Sequence, residues 1–252
     1  MTPTGLNYSY PAATLDGTTT VATLIAVGQS VLAFGGPDFT GLKLAKPLAR
    51  NAHNSGSLDL KPSISPNGNR VAFMSDRAAL YPEEAIWEGP ITGAPHQASF
   101  PPVQDSSGGD DAPAYLADGT AIVFTAWRNG RAGLAQASVV PFGRPRTLLT
   151  ATDRDYLDPA PGPGGQLAYS QRQGEVENIY VAAADGSGPR ALTTFNDARQ
   201  PAWSPDGKSV LFISPHAGTF DLWVVPAAGG EPRQLTTAGD LDATSRPAWP
   251  SA

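Results

Sequence analysis

The 252-residue chain contains no cysteine, two methionines and three histidines. Without cysteine there is no disulfide, no thiol nucleophile and no thiolate zinc site, although the compartment stays open. No stretch approaches the roughly 18 uninterrupted apolar residues of a membrane-spanning helix. The most apolar window, Val21–Phe34, is broken by Gly28-Gln29-Ser30 and reads as two strands and a turn. The start, MTPTGLNYSYPAATLDG, has neither the basic residues nor the apolar core of a secretion signal. The expected location is therefore periplasmic or extracellular if a signal has been removed, and otherwise cytoplasmic. Basic runs are missing too, and the net charge of −6 argues against nucleic acid as a partner.

Catalytic signatures are equally scarce. The sequence holds no G-x-S-x-G elbow, no H-E-x-x-H, no P-loop, no dinucleotide fingerprint and no EF-hand loop. Long amphipathic helical periods are also missing, which removes partner-helix and membrane-surface readings.

What the chain has in quantity is turn chemistry. Glycine (27) and proline (25) are frequent, yet 40% of residues are hydrophobic, so many turns surround a real core. The stretch from Asp197 to Gly239 shows the arrangement most clearly. Its spacing predicts four short strands: Gln200–Ser204, Ser209–Ser214, Asp221–Val225 and Arg233–Thr237. Between the first two, Ser204-Pro205-Asp206-Gly207 is a tight turn with glycine at the position requiring φ > 0. Such a four-strand meander of about 40 residues is one propeller blade, which cannot bury its faces alone.

Copies are therefore required, and they are present. Pro62, Pro113, Pro159, Pro201 and Pro247 anchor equivalent stretches at spacings of 51, 46, 42 and 46. The third strand repeats as Ala85-Ile86-Trp87, Asn178-Ile179-Tyr180 and Asp221-Leu222-Trp223, with Gly133-Leu134-Ala135 as the exception. These aromatic residues read as packing between blades. At the N-terminus Pro11–Gly17 resembles a first strand and its turn, whereas Gly28–Leu44 resembles Gly207–Trp223 still better. Residues 1–56 thus read as one degenerate blade with about one spare strand. Ser245–Trp249 is a lone first strand at the other end.

The expected fold is all-β: a single β-propeller of four-stranded antiparallel blades over residues 1–252, with five blades favoured and six as the alternative. The blades fall at about 1–56, 57–108, 109–154, 155–195 and 196–239, and a terminal strand in 240–252 is expected to close the ring.

The pattern Pro-Ala-Trp-Ser-Pro-Asp-Gly-Lys, an apolar strand, Leu-Trp or Ile-Tyr, then Leu-Thr resembles the WD40-like PD40 repeat of TolB-like propellers. The resemblance covers residues 57–250 well and 1–56 poorly. Similar repeats occur in translocation proteins, in peptidases of the prolyl-oligopeptidase kind and in oligogalacturonate lyases. Neither the α/β domain that precedes the TolB propeller nor a hydrolase domain is legible in this chain. The resemblance implies a propeller and leaves its activity open.

In a propeller, the loops entering each first strand share one face with those joining second to third strands. That rim is expected to carry His53, Asp59, Asp111, Asp158 and Arg199 from the first class, and Arg77, Arg128, Arg172 and His216 from the second. The plain reading of the acid–base pairs is structural: an ion pair that orients the blade. The sharper one is a polar pocket at the channel mouth that binds a ligand or a peptide end. No cofactor is expected. A transition metal held by His53 and His216, or calcium on the Asp153–Asp158 loop, is the alternative. The functional expectation is a non-catalytic, monomeric module that binds a protein or peptide through its loop face. The competing reading is a carbohydrate-active enzyme, either a glycosidase with paired rim aspartates or a histidine-assisted lyase. By alignment, no glutamate reaches the rim.

Overall fold

The computed structural model describes residues 7–14, 16–26, 29–36, 43–44, 58–76, 84–99, 109–139, 141–244 and 246–249. Its smallest unit is the turn after each first strand. At Ser204–Gly207 the Asp206 carboxylate accepts from Ser204 Oγ at 2.7 Å and from the Lys208 amide at 3.0 Å. The Gly207 amide donates to the Ser204 carbonyl, and Gly207 has φ +69°. Gly17, Gly68 and Gly119 close the equivalent turns at φ between +67° and +71°. An L side chain is disfavoured there, so glycine sets where each hairpin reverses.

Each turn is the first reversal of a four-stranded antiparallel meander. The first sheet comprises β1 (Asn7–Ala13), β2 (Thr20–Ala26), β3 (Gln29–Gly35) and β4 (Lys43–Leu44). The second comprises β5 (Asp59–Ile64), β6 (Arg70–Ser75), β7 (Ala85–Pro90) and β8 (His96–Gln97). The third is β9 (Asp110–Tyr115), β10 (Ala121–Arg128), β11 (Arg131–Ser138) and β12 (Arg146–Leu149). The fourth is β13 (Asp155–Pro161), β14 (Gln166–Gln173), β15 (Val176–Ala183) and β16 (Arg190–Ala191). The fifth is β17 (Arg199–Trp203), β18 (Ser209–Ser214), β19 (Asp221–Pro226) and β20 (Arg233–Gln234). The five sheets are the five blades of a β-propeller, and the first strands β1, β5, β9, β13 and β17 line one central channel.

Apolar clusters between neighbouring blades hold the ring together. The cross-strand register places Phe73, Phe124, Tyr169 and Phe212 at one equivalent position on the second strands, all with no exposed surface. Phe73 packs with Val21 and Leu32 of the first blade, and Phe212 packs with Ala168, Ile179 and Val181 of the fourth. Fully burying such a ring stabilises by about 1.5–3 kcal/mol. The third-strand aromatics Trp87, Tyr180 and Trp223 join the same seams, as their repetition predicts.

The first blade departs at this slot. Ala12 pairs with Val21, so the equivalent second-strand position is Ala22. The adjoining cluster on the fifth blade is correspondingly small: Ala202, Leu211 and Val224. The missing ring is why residues 1–56 read as degenerate. Of the two alignments available there, Pro11–Gly17 is the one realised as first strand and turn. Gln29–Gly35 is therefore a third strand, paired with β2, and no spare strand remains among the described residues.

The C-terminal expectation is realised differently. Every sheet is complete within its own stretch of chain, and no strand follows Arg233–Gln234 among the described residues. Leu241 still donates its amide to the Phe220 carbonyl, but Arg246–Trp249 lies in the central channel, against the first strands. The reason lies in pairing: the fifth sheet has the antiparallel order β17-β18-β19-β20, and the first sheet already carries its own β1-to-β4 order.

Candidate functional site

The five first strands share a feature that no repeat motif announces. The residue before the anchor proline has positive φ in every blade: Tyr10 (54°), Lys61 (49°), Ala112 (49°), Asp158 (52°) and Gln200 (56°). A non-glycine residue there is uncommon and costs roughly 1–3 kcal/mol. Each lies within a register shift between first and second strand, such as Leu60/Ser63 or Leu157/Ala160. These are β-bulges, and a bulge re-aims the side chain at its crest. Tyr10, Lys61, Ala112 and Gln200 line the channel cavity of about 180 Å³.

At the level of the bulges the channel is charged. Lys61 Nζ lies 2.6 Å from Asp111 Oδ2. Asp158, 8% exposed, lies beside Lys61 and Arg246 and accepts a hydrogen bond from the Gln200 side chain. Burial pushes the Asp158 carboxyl above the usual carboxylate range, against the pull of Lys61 and Arg246. Burial works to lower the Lys61 ammonium, but Asp111 and Asp158 outweigh it and its pKa is raised. The Arg246 guanidinium is lowered by burial despite the same two acids, and its Nε is buried without a hydrogen-bond partner. Two acids thus face two bases inside the ring, one of them supplied by the C-terminal segment.

The cavity extends from this level to the turns after the first strands, where Pro66, Ala117 and Pro163 contribute. It therefore occupies the end of the channel opposite the expected rim. On the rim itself the acids are paired within their blades and, in places, across to a neighbour, as where Arg131 lies 3.6 Å from Asp155. Asp110, fully buried, receives Arg128 Nη1 at 2.6 Å and Nη2 at 3.3 Å. Asp155 receives Arg172 Nη2 at 3.0 Å and the Ala132 amide at 3.1 Å. Asp59 accepts from Ser75 Oγ at 2.8 Å. In the fifth blade the slot of Arg128 and Arg172 is occupied by His216, and Arg199 supplies the cation instead, 2.6 Å from Asp197 Oδ1. His216 is exposed and stacks on Phe195, ring centroids 3.8 Å apart and 11° from parallel.

Of the expected site residues, Asp111 and Asp158 thus come together in the channel, joined by Lys61 and Arg246. Arg128, Arg172 and Asp59 have partners in their own blades, Arg199 reaches both Asp197 and Glu177 of the fourth blade, and His216 stands in an aromatic corner with Phe195 and Trp223. His53 and Arg77 lie outside the described residues. Among the described residues no three His, Asp or Glu side chains converge as a metal-binding group.

One rim group escapes the sequence reading. Glu177, at the start of β15, lies 3.8 Å from Arg199 Nη2 and pairs across strands with Arg172. It links Asp155–Arg172 to Arg199–Asp197 as one chain of alternating charge over two blades. Burial, opposed by Arg199, raises its carboxyl to about 7. The signal was the register: Glu177 stands opposite Arg172 across the short Gln173–Val176 hairpin.

No protein-family model matches the chain. The Tol-Pal system protein TolB of Bordetella avium is 29% identical over 196 residues, covering 76% of this chain and 40% of that protein. The TolB homologue of Chlorobium luteolum is 28% identical over 167 residues, covering 66% of this chain and 36% of the homologue. Among solved structures, a putative TolB from Agrobacterium tumefaciens superimposes with a TM-score of 0.71 at 18% identity, covering 92% of this chain and 81% of the other. A puromycin hydrolase also superimposes, with a TM-score of 0.66 at 18% identity over 93% of this chain and 41% of the hydrolase. The chain is a five-bladed β-propeller of the TolB-like kind. It spans 36–40% of the length of these two curated relatives, so their whole-protein roles do not transfer with the fold.

Proposed function

We propose that this propeller is a non-catalytic binding module that engages a protein or peptide partner through its central channel and loop face. The observation that supports this best is the charged cluster in the channel. Asp111 and Asp158 are matched by Lys61 and Arg246, an arrangement suited to recognising an extended chain with polar or charged side chains. Among the described residues, the loop-face aspartates Asp110, Asp155 and Asp59 are tied to an arginine or a serine of their own blades, which disfavours their use as a free carboxylate pair for glycoside hydrolysis. Its relatives are named as Tol-Pal system proteins, and on that analogy the module is placed in the bacterial periplasm in complex with a protein.

The test is panning of a random-peptide display library on the immobilised full chain, beside a glycan-hydrolysis screen. Enriched peptides whose binding falls at least about tenfold on Asp111→Asn are expected, together with no turnover. Glycan turnover abolished by Asp111→Asn or Asp158→Asn, with no peptide enriched, would overturn the reading.

A further inference from the structure

The segment in the channel is a sixth copy of the first-strand motif. Arg246-Pro247-Ala248-Trp249 repeats Gln200-Pro201-Ala202-Trp203 with arginine in place of glutamine. The five other copies are strands in sheets, whereas this one lies inside the ring they form. Its proline, alanine and tryptophan line the cavity together with residues of all five first strands.

Charge explains why an arginine is suited to this place. Removing the Arg246 guanidinium leaves Lys61 alone against Asp111 and Asp158, one uncompensated negative charge in a buried setting. A buried carboxylate without a matching cation is strongly unfavourable. The site therefore selects a cation, and a planar guanidinium that feels both Asp158 and Asp111 offers several donors to the two acids. Of those donors, the Arg246 Nε–H is buried without an acceptor. An unmet buried donor costs roughly 1–3 kcal/mol. The resident segment is thus held by charge with an incomplete set of hydrogen bonds, which makes it displaceable.

We propose that the channel contains an arginine subsite, formed by Asp111, Asp158, Lys61 and Gln200, which takes an arginine-bearing extended peptide and is filled in cis by Arg246–Trp249. This rests on the binding-module reading above and names its ligand chemistry. An incoming peptide gains the site only when the chain's own segment leaves, so the apparent affinity is reduced by the fraction of protein with an open channel.

A fluorescein-labelled peptide carrying residues 242–249 (DATSRPAW), added in trans and followed by anisotropy, tests it. The full chain is expected to bind weakly and the Arg246→Ala variant at least about tenfold more tightly. Adding Asp158→Asn to that variant abolishes the gain, and a peptide with alanine for arginine binds neither protein. Asparagine tolerates the positive φ at position 158, so this change perturbs the backbone little. If either variant fails to fold, Arg246→Gln and Asp111→Asn replace them. Equal affinity for wild type and variant, or equal binding of the arginine-free peptide, overturns the proposal. Should display-selected peptides bind while the 242–249 peptide binds neither protein, the arginine subsite falls and the binding module stands. If nothing binds, both fall.

Discussion

At the scale of single residues, burial and pairing decide what each ionisable group does. Asp110 is fully buried, and burial raises its pKa while Arg128 holds it down. Arg128→Ala leaves that carboxylate unpaired. The expected loss is about 2–3 kcal/mol, below the range for a fully buried pair because the Arg128 side chain is one-third exposed (33%). Chemical denaturation checks it, and the loss should grow as pH rises, since only the ionised aspartate needs the arginine. Glu177 gives a cleaner pH test. Its folded pKa of about 7 lies above its ordinary value of 4.5, so the folded state holds the proton more tightly. That contribution to stability is fully present below pH 4.5 and is lost as pH rises through 7. Glu177→Gln, measured by thermal melts from pH 4 to 8, should flatten the decline between those limits. An unchanged slope would remove Glu177 as its source.

At the scale of the element, hairpin turns meet their neighbours edge to edge. A Cβ built on Gly207 would stand 3.1 Å from Pro163 of the preceding blade, and one on Gly119 would stand 3.5 Å from Pro66. Gly165 has the same backbone geometry, φ +71°, with nothing within 4 Å. Gly165→Ala should therefore cost only the backbone term, about 1–2 kcal/mol. Gly207→Ala should cost that and a further penalty for crowding the seam. Paired denaturation curves measure the difference, and equal losses would mean that the turns do not bear on one another. The strands were legible because each level of the sequence agreed: Ser-Pro-Asp-Gly turns, dense apolar second strands and recurring prolines. Gln29–Gly35 matches its expected apolar pattern yet takes the third position, because a second-strand pattern and a third-strand pattern differ only in their partners.

The same limit operates at the scale of the whole molecule. Periodicity gives blades and their number, but it says little about the inside of the ring, where residues some 50 positions apart meet. Asp111 and Asp158 were recognisable as chemistry-bearing residues from their place beside the anchor prolines. Their meeting with Lys61 and Arg246 was not, since lysine 61 occupies an ordinary strand position and its positive φ has no signature in composition. The C-terminal motif was equally visible as a first strand, and its pairing partner was inferred from closure. What places it in the channel is the completeness of all five sheets without it. On the proposed reading, the channel cluster contributes more to recognition than the ion pairs of the loop face.

The measurement that bears most directly on that claim is calorimetric titration of a display-selected peptide into the full chain and into its Asp111→Asn and Arg172→Ala variants. Asp111 belongs to the channel cluster, and Arg172 belongs to a rim pair with Asp155. The account predicts that affinity falls at least about tenfold with Asp111→Asn and changes less than about twofold with Arg172→Ala. The reverse order, with binding lost at the rim and kept in the channel, would contradict it.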